Sequence, residues 1–299
     1  MMTRRLVLAL ACTSAILGAV PAAYAKTLNV VASFSVLGDV VSEVGGDKVT
    51  VTTLVGPNGD PHEYEPSPDD AKHLKAADLV FVNGLGMEGW MNRLIKASGY
   101  KGEPVVASAK VKTRQMEEDG QDVTDPHVWN DPKNVRVWVA AIEAALAKAD
   151  PADAETFKKN AARYDAELHE LDTYAKQRFA KTPEGDRRIL TSHDAFGYFG
   201  DAYGITFLSP LGLSTESEAS ATDVAKLIDQ IKREKISTYF FENSNDPRLV
   251  RQIAEATGAK AGGELYVESL SAKDGPAPTY ARMFRYNVDQ VANALAKTN

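Results

Sequence analysis

The stretch between Pro151 and Pro183 contains neither glycine nor proline. Its apolar residues recur at steps of three and four, which is the spacing of one face of an α-helix. A helix of about thirty residues is ~45 Å long, enough to reach across a whole domain. The sequence therefore predicts one long, rigid linker helix over 151–183. The apolar positions on its predicted buried face are Phe157, Ala161, Tyr164, Leu168, Leu171, Ala175 and Phe179.

Short apolar strands alternate with helical segments on both sides of this linker. This alternation is typical of βαβ units, whose strands form parallel sheets. We therefore predict an α/β fold with two βα lobes, over 26–150 and 184–299, joined by the long helix. The predicted strands are 28–33, 49–54, 79–82 and 105–107 before the linker, and 188–192, 205–208 and 238–241 after it.

The first 25 residues have the pattern of an export signal. Arg4 and Arg5 precede an apolar run over 6–20, and Ala23-Tyr24-Ala25 is a small-x-small cleavage site. The apolar run is shorter than the ~20 residues that a membrane span requires. We expect residues 1–25 to be a cleavable signal peptide and the mature chain to begin at Lys26.

The only cysteine, Cys12, lies inside this predicted signal peptide. The mature chain would then have neither a disulfide nor a thiolate metal site. Lipid attachment at Cys12 is not expected, because Leu10 stands where a small residue is usual and a long apolar stretch follows.

The charge of the chain excludes two classes of partner. It has 34 basic and 41 acidic residues, and removal of Arg4 and Arg5 with the leader makes the balance more acidic. Nucleic-acid binding requires a basic face, and attachment to anionic lipid requires a polybasic segment. We therefore expect neither nucleic acid nor a membrane surface as a ligand.

Three of the five histidines lie in loops after or beside predicted strands. His62 and His127 each follow an Asp-Pro dipeptide, and His193 directly follows the strand 188–192. Loops at the carboxyl ends of strands are where open α/β sheets place their ligands. The other two, His73 and His169, lie in polar helical segments and are expected to be exposed and without a role.

Imidazole is a good ligand for zinc, and for manganese or iron when a carboxylate joins it. His62, His127 and His193 are 65 and 66 residues apart, so no local motif joins them. The sequence therefore predicts a metal site that the fold assembles from both lobes.

Five segments resemble the periplasmic zinc- and manganese-binding proteins of ABC importers, the ZnuA/TroA/PsaA family. The resemblance extends over essentially the whole mature chain. The segments are GPNGDPHEYEPSPDD (56–70), ADLVFVNGLGMEGW (77–90), DPHVWNDPKN (125–134), TSHDAFGYFGDAYG (191–204) and YVESLS (266–271).

The resemblance implies two lobes joined by a rigid helix, with the metal in the cleft between them. His62 and His127 would be ligands from the first lobe, and His193 a ligand from the second. The fourth family ligand comes from the YVES motif and is usually aspartate, whereas this chain has Glu268 there. Asp274, close by in sequence, is the alternative fourth ligand.

The resemblance also implies a function without catalysis. The protein would be a periplasmic monomer that captures one divalent ion, Zn²⁺ first and Mn²⁺ or iron as the alternative, and delivers it to an ABC permease. Manganese-binding members tend to carry a carboxylate where this chain has His193, which favours zinc. Many zinc-binding members carry a histidine-rich loop, whereas the segment 117–125 of this chain is acidic and solvated in our interpretation.

A zinc-dependent hydrolase is the alternative from a different class. If Glu268 did not bind the metal, an open coordination position would remain, and Glu63 could serve as a base. His62-Glu63-Tyr64-Glu65-Pro66 is not a zincin helix, because Pro66 replaces the second histidine.

The segment 84–89 matches the G-x-G-x-x-G pattern of dinucleotide-binding folds. In such a site an acidic residue about 20 positions later ends the second strand. Glu103 instead precedes Pro104 and its strand. We therefore do not expect nucleotide binding.

Overall fold

The computed structural model describes residues 27–118, 121–183, 187–212, 215 and 219–298. The predicted signal peptide, with Cys12, lies outside these residues. Within the described ranges, no helix combines the length and the apolar character that crossing a membrane requires.

The first sheet has four parallel strands in the order β2-β1-β3-β4. The central strand β1 is buried at every position but Asn29, as expected where helices cover both faces of a parallel sheet. The strands are β1 (Leu28–Phe34), β2 (Val49–Val55), β3 (Leu79–Val82) and β4 (Val105–Val106). The helices of this lobe are α1 (Ser35–Gly45), α2 (Pro68–Ala76), α3 (Met91–Ser98) and α4 (Pro132–Ala149).

The acidic segment before His127 forms an antiparallel hairpin rather than a plain solvated loop. Its strands are β5 (Gln115–Glu118) and β6 (Gln121–Thr124). The buried Met116 pairs with Val123 in this hairpin, so the segment makes an apolar cross-strand contact despite its acidic residues.

The second sheet repeats the parallel pattern with strands β7 (Arg188–Leu190), β8 (Thr206–Leu208), β9 (Thr238–Glu242) and β10 (Lys260–Leu265). Their order in the sheet is β10-β9-β7-β8. The helices of this lobe are α6 (Gly197–Tyr203), α7 (Ala221–Glu234), α8 (Arg248–Thr257) and α9 (Tyr280–Thr298). Sequence analysis did not predict β10, because Gly262 and Gly263 interrupt its apolar pattern.

The predicted linker helix is present as α5 (Ala154–Phe179), 26 residues long, after a short 3₁₀ turn over Pro151–Asp153. All seven predicted apolar positions are buried. The helix packs against α1, α4 and α9, and α9 also contacts β10. One hydrophobic core therefore runs from the first sheet through α5 and α9 to the second sheet.

Arg187 joins the end of α5 to the end of α6. Its buried guanidinium donates hydrogen bonds to the carbonyl oxygens of Phe179 (2.6 Å), Thr182 (2.8 Å) and Tyr203 (2.7 Å). Carbonyl groups at a helix C-terminus lack partners within the helix and favour a positive charge. Arg187 therefore fixes the direction in which the chain leaves the linker.

Replacement Arg187→Met should lower the free energy of unfolding by about 3 kcal/mol, because several buried carbonyl groups lose a charged donor. Urea denaturation of the metal-free protein measures this loss. Arg188→Met is the matched control: this side chain is 44% exposed and lies 3.6 Å from Glu234. Such a surface pair is worth less than about 1 kcal/mol. Equal losses of unfolding free energy in the two variants would contradict this role of Arg187.

Candidate metal centre

The predicted ligands follow strand ends of both sheets and meet between them. His62 lies in the loop after β2, and His127 follows the hairpin. His193 follows β7, and Glu268 follows β10. One ligand atom from each residue lies within 4.8 Å of the other three. The fold therefore brings together all four residues that sequence analysis selected.

The spacing of these atoms matches that of a small coordination sphere. The Nε2 atoms of His62 and His127 are 3.3 Å apart. Oε1 of Glu268 lies 2.7 Å from Nε2 of His62, 3.3 Å from Nε2 of His127 and 3.1 Å from Nε2 of His193. A tetrahedral ion with bonds of ~2.0 Å separates its ligand atoms by about 3.3 Å. The four side chains can therefore surround one ion with little rearrangement.

The centre is closed off from solvent on all but one side. His127, His193 and Glu268 have no exposed surface, whereas His62 is 8% exposed. His62 also lines a surface cleft together with Tyr64 and Trp90.

Two buried carboxylates outside the centre orient the imidazoles. Nδ1 of His127 donates to Oδ1 of Asp125 at 2.9 Å, and Nδ1 of His193 donates to Oε2 of Glu242. Each bond places the proton on Nδ1 and leaves the Nε2 lone pair directed at the centre. Sequence analysis did not select Asp125 or Glu242 for this role. The available signal for Glu242 was its position at the carboxyl end of β9.

The two Asp-Pro-His segments share one local structure. Oδ1 of Asp60 accepts a hydrogen bond from the backbone N–H of His62 at 2.8 Å. Oδ1 of Asp125 accepts one from the backbone N–H of His127 at 2.9 Å. An aspartate that bonds the backbone two residues later forms an Asx turn. The repeated tripeptide therefore presents each histidine from the same rigid turn.

Burial and neighbouring charges shift the pKa values of these groups in opposite directions. Burial alone would raise the pKa of Glu268, but His62, His193 and His127 hold that pKa well below its ordinary value. Burial alone would lower the pKa of His127, but Asp125 and Glu268 raise it. Burial would also lower the pKa of His193, but Glu242 and Glu268 raise it well above its ordinary value. Without metal, the centre therefore shifts Glu268 toward its ionised form and His127 and His193 toward their protonated forms.

The remaining candidate residues lie outside the centre. Asp274 is exposed and does not belong to the cluster, so it is not the fourth member. His73 on α2 and His169 on α5 are exposed, as predicted. Glu63 is exposed and outside the cluster as well, and the arrangement gives no support to its role as a hydrolytic base.

The G-x-G-x-x-G segment binds a carboxylate of the chain itself. Glu88 accepts hydrogen bonds from the backbone N–H groups of Asn83 (2.6 Å) and Gly84 (3.0 Å) and from the Ser33 hydroxyl (2.6 Å). These backbone donors are the ones that a phosphate would require. The side-chain amide of Asn83 donates to the carbonyl oxygen of Pro126 at 3.0 Å. The segment thus supports the turn that presents His127.

Comparison with known proteins agrees with this geometry. The family model "Zinc-uptake complex component A periplasmic" (ZnuA) matches residues 30–294. The manganese-binding lipoprotein MntA of Bacillus subtilis is 34% identical over 279 residues, which cover 90% of each chain. The iron-binding protein YfeA of Yersinia pestis is 30% identical, over 93% of this chain and 89% of its own length.

A solved structure shares the fold over nearly its whole length. The periplasmic zinc-binding protein TroA of Treponema pallidum superimposes with a TM-score of 0.85 at 30% identity, over 90% of this chain and 99% of TroA. The two predicted βα lobes and the long helix are thus confirmed. The chain belongs to the ZnuA family of metal-binding substrate-binding proteins of ABC transporters, which are transport proteins and not enzymes.

Proposed function

We propose that this protein captures Zn²⁺ between its lobes and delivers it to an ABC permease in the membrane. His62, His127, His193 and Glu268 would bind the ion. The observation that supports this proposal is the convergence of three imidazole Nε2 atoms and one carboxylate oxygen within 4.8 Å of one another. Four protein ligands complete a tetrahedral set, which favours carriage over catalysis because a catalytic zinc retains an open position.

The ligand set favours zinc among the divalent ions. Three nitrogen atoms and one oxygen atom are a common tetrahedral set for zinc. The general affinity order of such ligands places zinc far above manganese. The name of TroA, a zinc-binding protein of the same fold, is consistent with this assignment.

Manganese and iron are the second candidates. MntA is named a manganese-binding protein and YfeA an iron-binding protein, and both are at least 30% identical to this chain. Glu268 could bind through both of its oxygen atoms, and its Oε2 lies 3.4 Å from the hydroxyl of Ser244. A fifth ligand atom and a second oxygen would suit manganese.

Export places the site outside the cytoplasmic membrane in this proposal. Cleavage after Ala25 would release the protein into the periplasm. MntA is named a lipoprotein, which raises acylation at Cys12 as the alternative that the local sequence did not favour. The N-terminal residue of the mature protein, Lys26 or a lipid-modified Cys12, distinguishes the two.

Alanine substitution of each histidine tests the site. His62→Ala, His127→Ala and His193→Ala should each weaken zinc binding by more than about 100-fold, since loss of an outer partner alone typically costs 10–100-fold. Calorimetric titration against a competing chelator measures this change. His73→Ala and His169→Ala are matched controls, because both side chains are exposed on helices away from the centre. Wild-type affinity in any of the first three variants would remove that residue from the site.

Competition between metals tests the assignment of the ion. Zinc should displace bound manganese completely at neutral pH, and His193→Glu should narrow the difference in affinity because it adds an oxygen ligand. Equilibrium dialysis against both metals, followed by metal analysis of the protein, measures the ratio of bound zinc to bound manganese. If manganese competes with zinc on equal terms in the wild type, the zinc assignment is wrong and the manganese alternative replaces it.

Zinc affinity should fall as the pH is lowered from about 8 to about 5. The metal requires neutral imidazoles. The pKa values of His127 and His193 are raised, so protons already compete with the metal above the ordinary histidine pKa of about 6.5. Titrations in buffers of different ionisation enthalpy should also show proton release on binding. A constant affinity over this range would contradict a site built mainly from histidines.

A further inference from the structure

An ion pair closes the base of the β5–β6 hairpin. Arg114 precedes β5, and Asp125 follows β6. The backbone N–H of Asp125 donates to the carbonyl oxygen of Arg114 at 3.1 Å, and Nη1 of Arg114 donates to Oδ2 of Asp125 at 2.8 Å. The Asp125 side chain has no exposed surface, and its other oxygen, Oδ1, holds His127. The two oxygens of one carboxylate therefore join Arg114 to a proposed metal ligand.

Helix α6 of the second lobe binds this ion pair from the other side of the cleft. The hydroxyl of Tyr198 accepts a hydrogen bond from the backbone N–H of Arg114 at 3.1 Å and donates one to the carbonyl oxygen of Asp125 at 3.0 Å. Oδ2 of Asp201 accepts a hydrogen bond from Nε of Arg114 at 3.0 Å. Three hydrogen bonds thus link one helix of the second lobe to the hairpin base of the first.

The first residue of α6 allows this close approach. A Cβ atom at Gly197 would lie 1.7 Å from Nη1 of Arg114 and 2.8 Å from Oδ2 of Asp125. No side chain larger than hydrogen fits there while the ion pair stays in place. The Arg114–Asp125 pair therefore packs directly on the backbone of α6.

We propose that Arg114 is a positioning residue of the metal centre, which couples the second-lobe helix α6 to the first-lobe ligand His127 through Asp125. Arg114 does not reach the ion. It fixes the carboxylate that orients the imidazole, and α6 fixes Arg114. The ligand set is therefore complete only while the two lobes are packed together at this hairpin. This inference rests on the proposed function, since it assigns His127 to the metal.

Arg114→Gln removes the charge and the two side-chain hydrogen bonds to Asp125 and Asp201. Zinc affinity should fall by about 10-fold, the lower end of the usual effect of losing a group that supports a metal ligand. Zinc dissociation into excess chelator should become faster by a similar factor. The visible absorption of the Co²⁺-loaded protein should also shift, because the orientation of His127 changes. A purely structural role of Arg114 would not alter that spectrum.

Arg136→Gln is the matched control. Arg136 also makes two hydrogen bonds to carboxylate oxygens, both of Asp165, at 2.6 and 3.0 Å. This pair lies on α4 and α5, and both side chains are 41% exposed. Its loss should leave zinc affinity, dissociation rate and the Co²⁺ spectrum unchanged. An equal effect of the two substitutions would overturn the proposal.

Gly197→Ala disturbs the same ion pair from the second lobe and tests the coupling even if Arg114→Gln folds poorly. It should weaken zinc binding about as much as Arg114→Gln. The double variant should bind zinc no more weakly than either single variant, because both substitutions act through the Arg114–Asp125 pair. Additive losses of zinc affinity in the double variant would overturn the proposal. It would also be overturned if both single variants kept the wild-type affinity, dissociation rate and Co²⁺ spectrum. Failure of the wild type to bind zinc would instead overturn the proposed function, whereas wild-type affinity in His127→Ala would remove His127 from the site and overturn this proposal with it.

Discussion

The carboxylate of Glu268 carries a negative charge in a position with no exposed surface. A buried ion is costly unless opposite charges or good hydrogen bonds surround it. Here the compensation comes from three imidazoles, two of them presented by the first lobe and one by the second. Neither lobe contains a complete environment for Glu268. The buried carboxylate of Glu268 therefore requires both lobes to pack together. The same requirement applies to the turns that carry the histidines and to the hydrogen bonds that orient them.

Sheet topology explains why such a site can form between two lobes. In each sheet the chain first adds a strand on one side of its starting strand and then continues on the other side. Ligand sites form beside such reversal points, at the carboxyl ends of the strands. In the second sheet, His193 and Glu242 occupy this edge. In the first sheet, Glu88 occupies the corresponding place and supports the loop before His127. The second sheet thus supplies the proposed ligand His193 at this point, and the first sheet supplies support for the proposed ligand His127.

Sequence patterns predicted the elements that have regular periodicity and the residues with distinctive chemistry. The linker α5 and the three loop histidines are of this kind. The helix follows from local spacing, His62 and His127 from the neighbouring Asp-Pro dipeptide, and His193 from the predicted strand before it. Strand β10 was missed because its glycines conceal the apolar pattern. The sequence left Glu268 and Asp274 as alternatives, since both are carboxylates within one loop region, and in the structure only Glu268 lies within the histidine cluster. The roles of Asp125 and Glu242 are tertiary contacts, which no spacing in the sequence reveals.

The charges around the centre also favour a cation over an anion as its occupant. Asp125 forms an ion pair with Arg114 at 2.8 Å, so part of its charge is compensated within the protein. Within the described residues, the carboxylates of Glu242 and Glu268 pair with imidazoles and not with Lys or Arg. Burial alone would lower the pKa values of His127 and His193, but the neighbouring carboxylates raise them, so the centre favours positive charge. A metal cation at the Nε2 atoms of these histidines would benefit from the same attraction and would compete with protons for the same lone pairs.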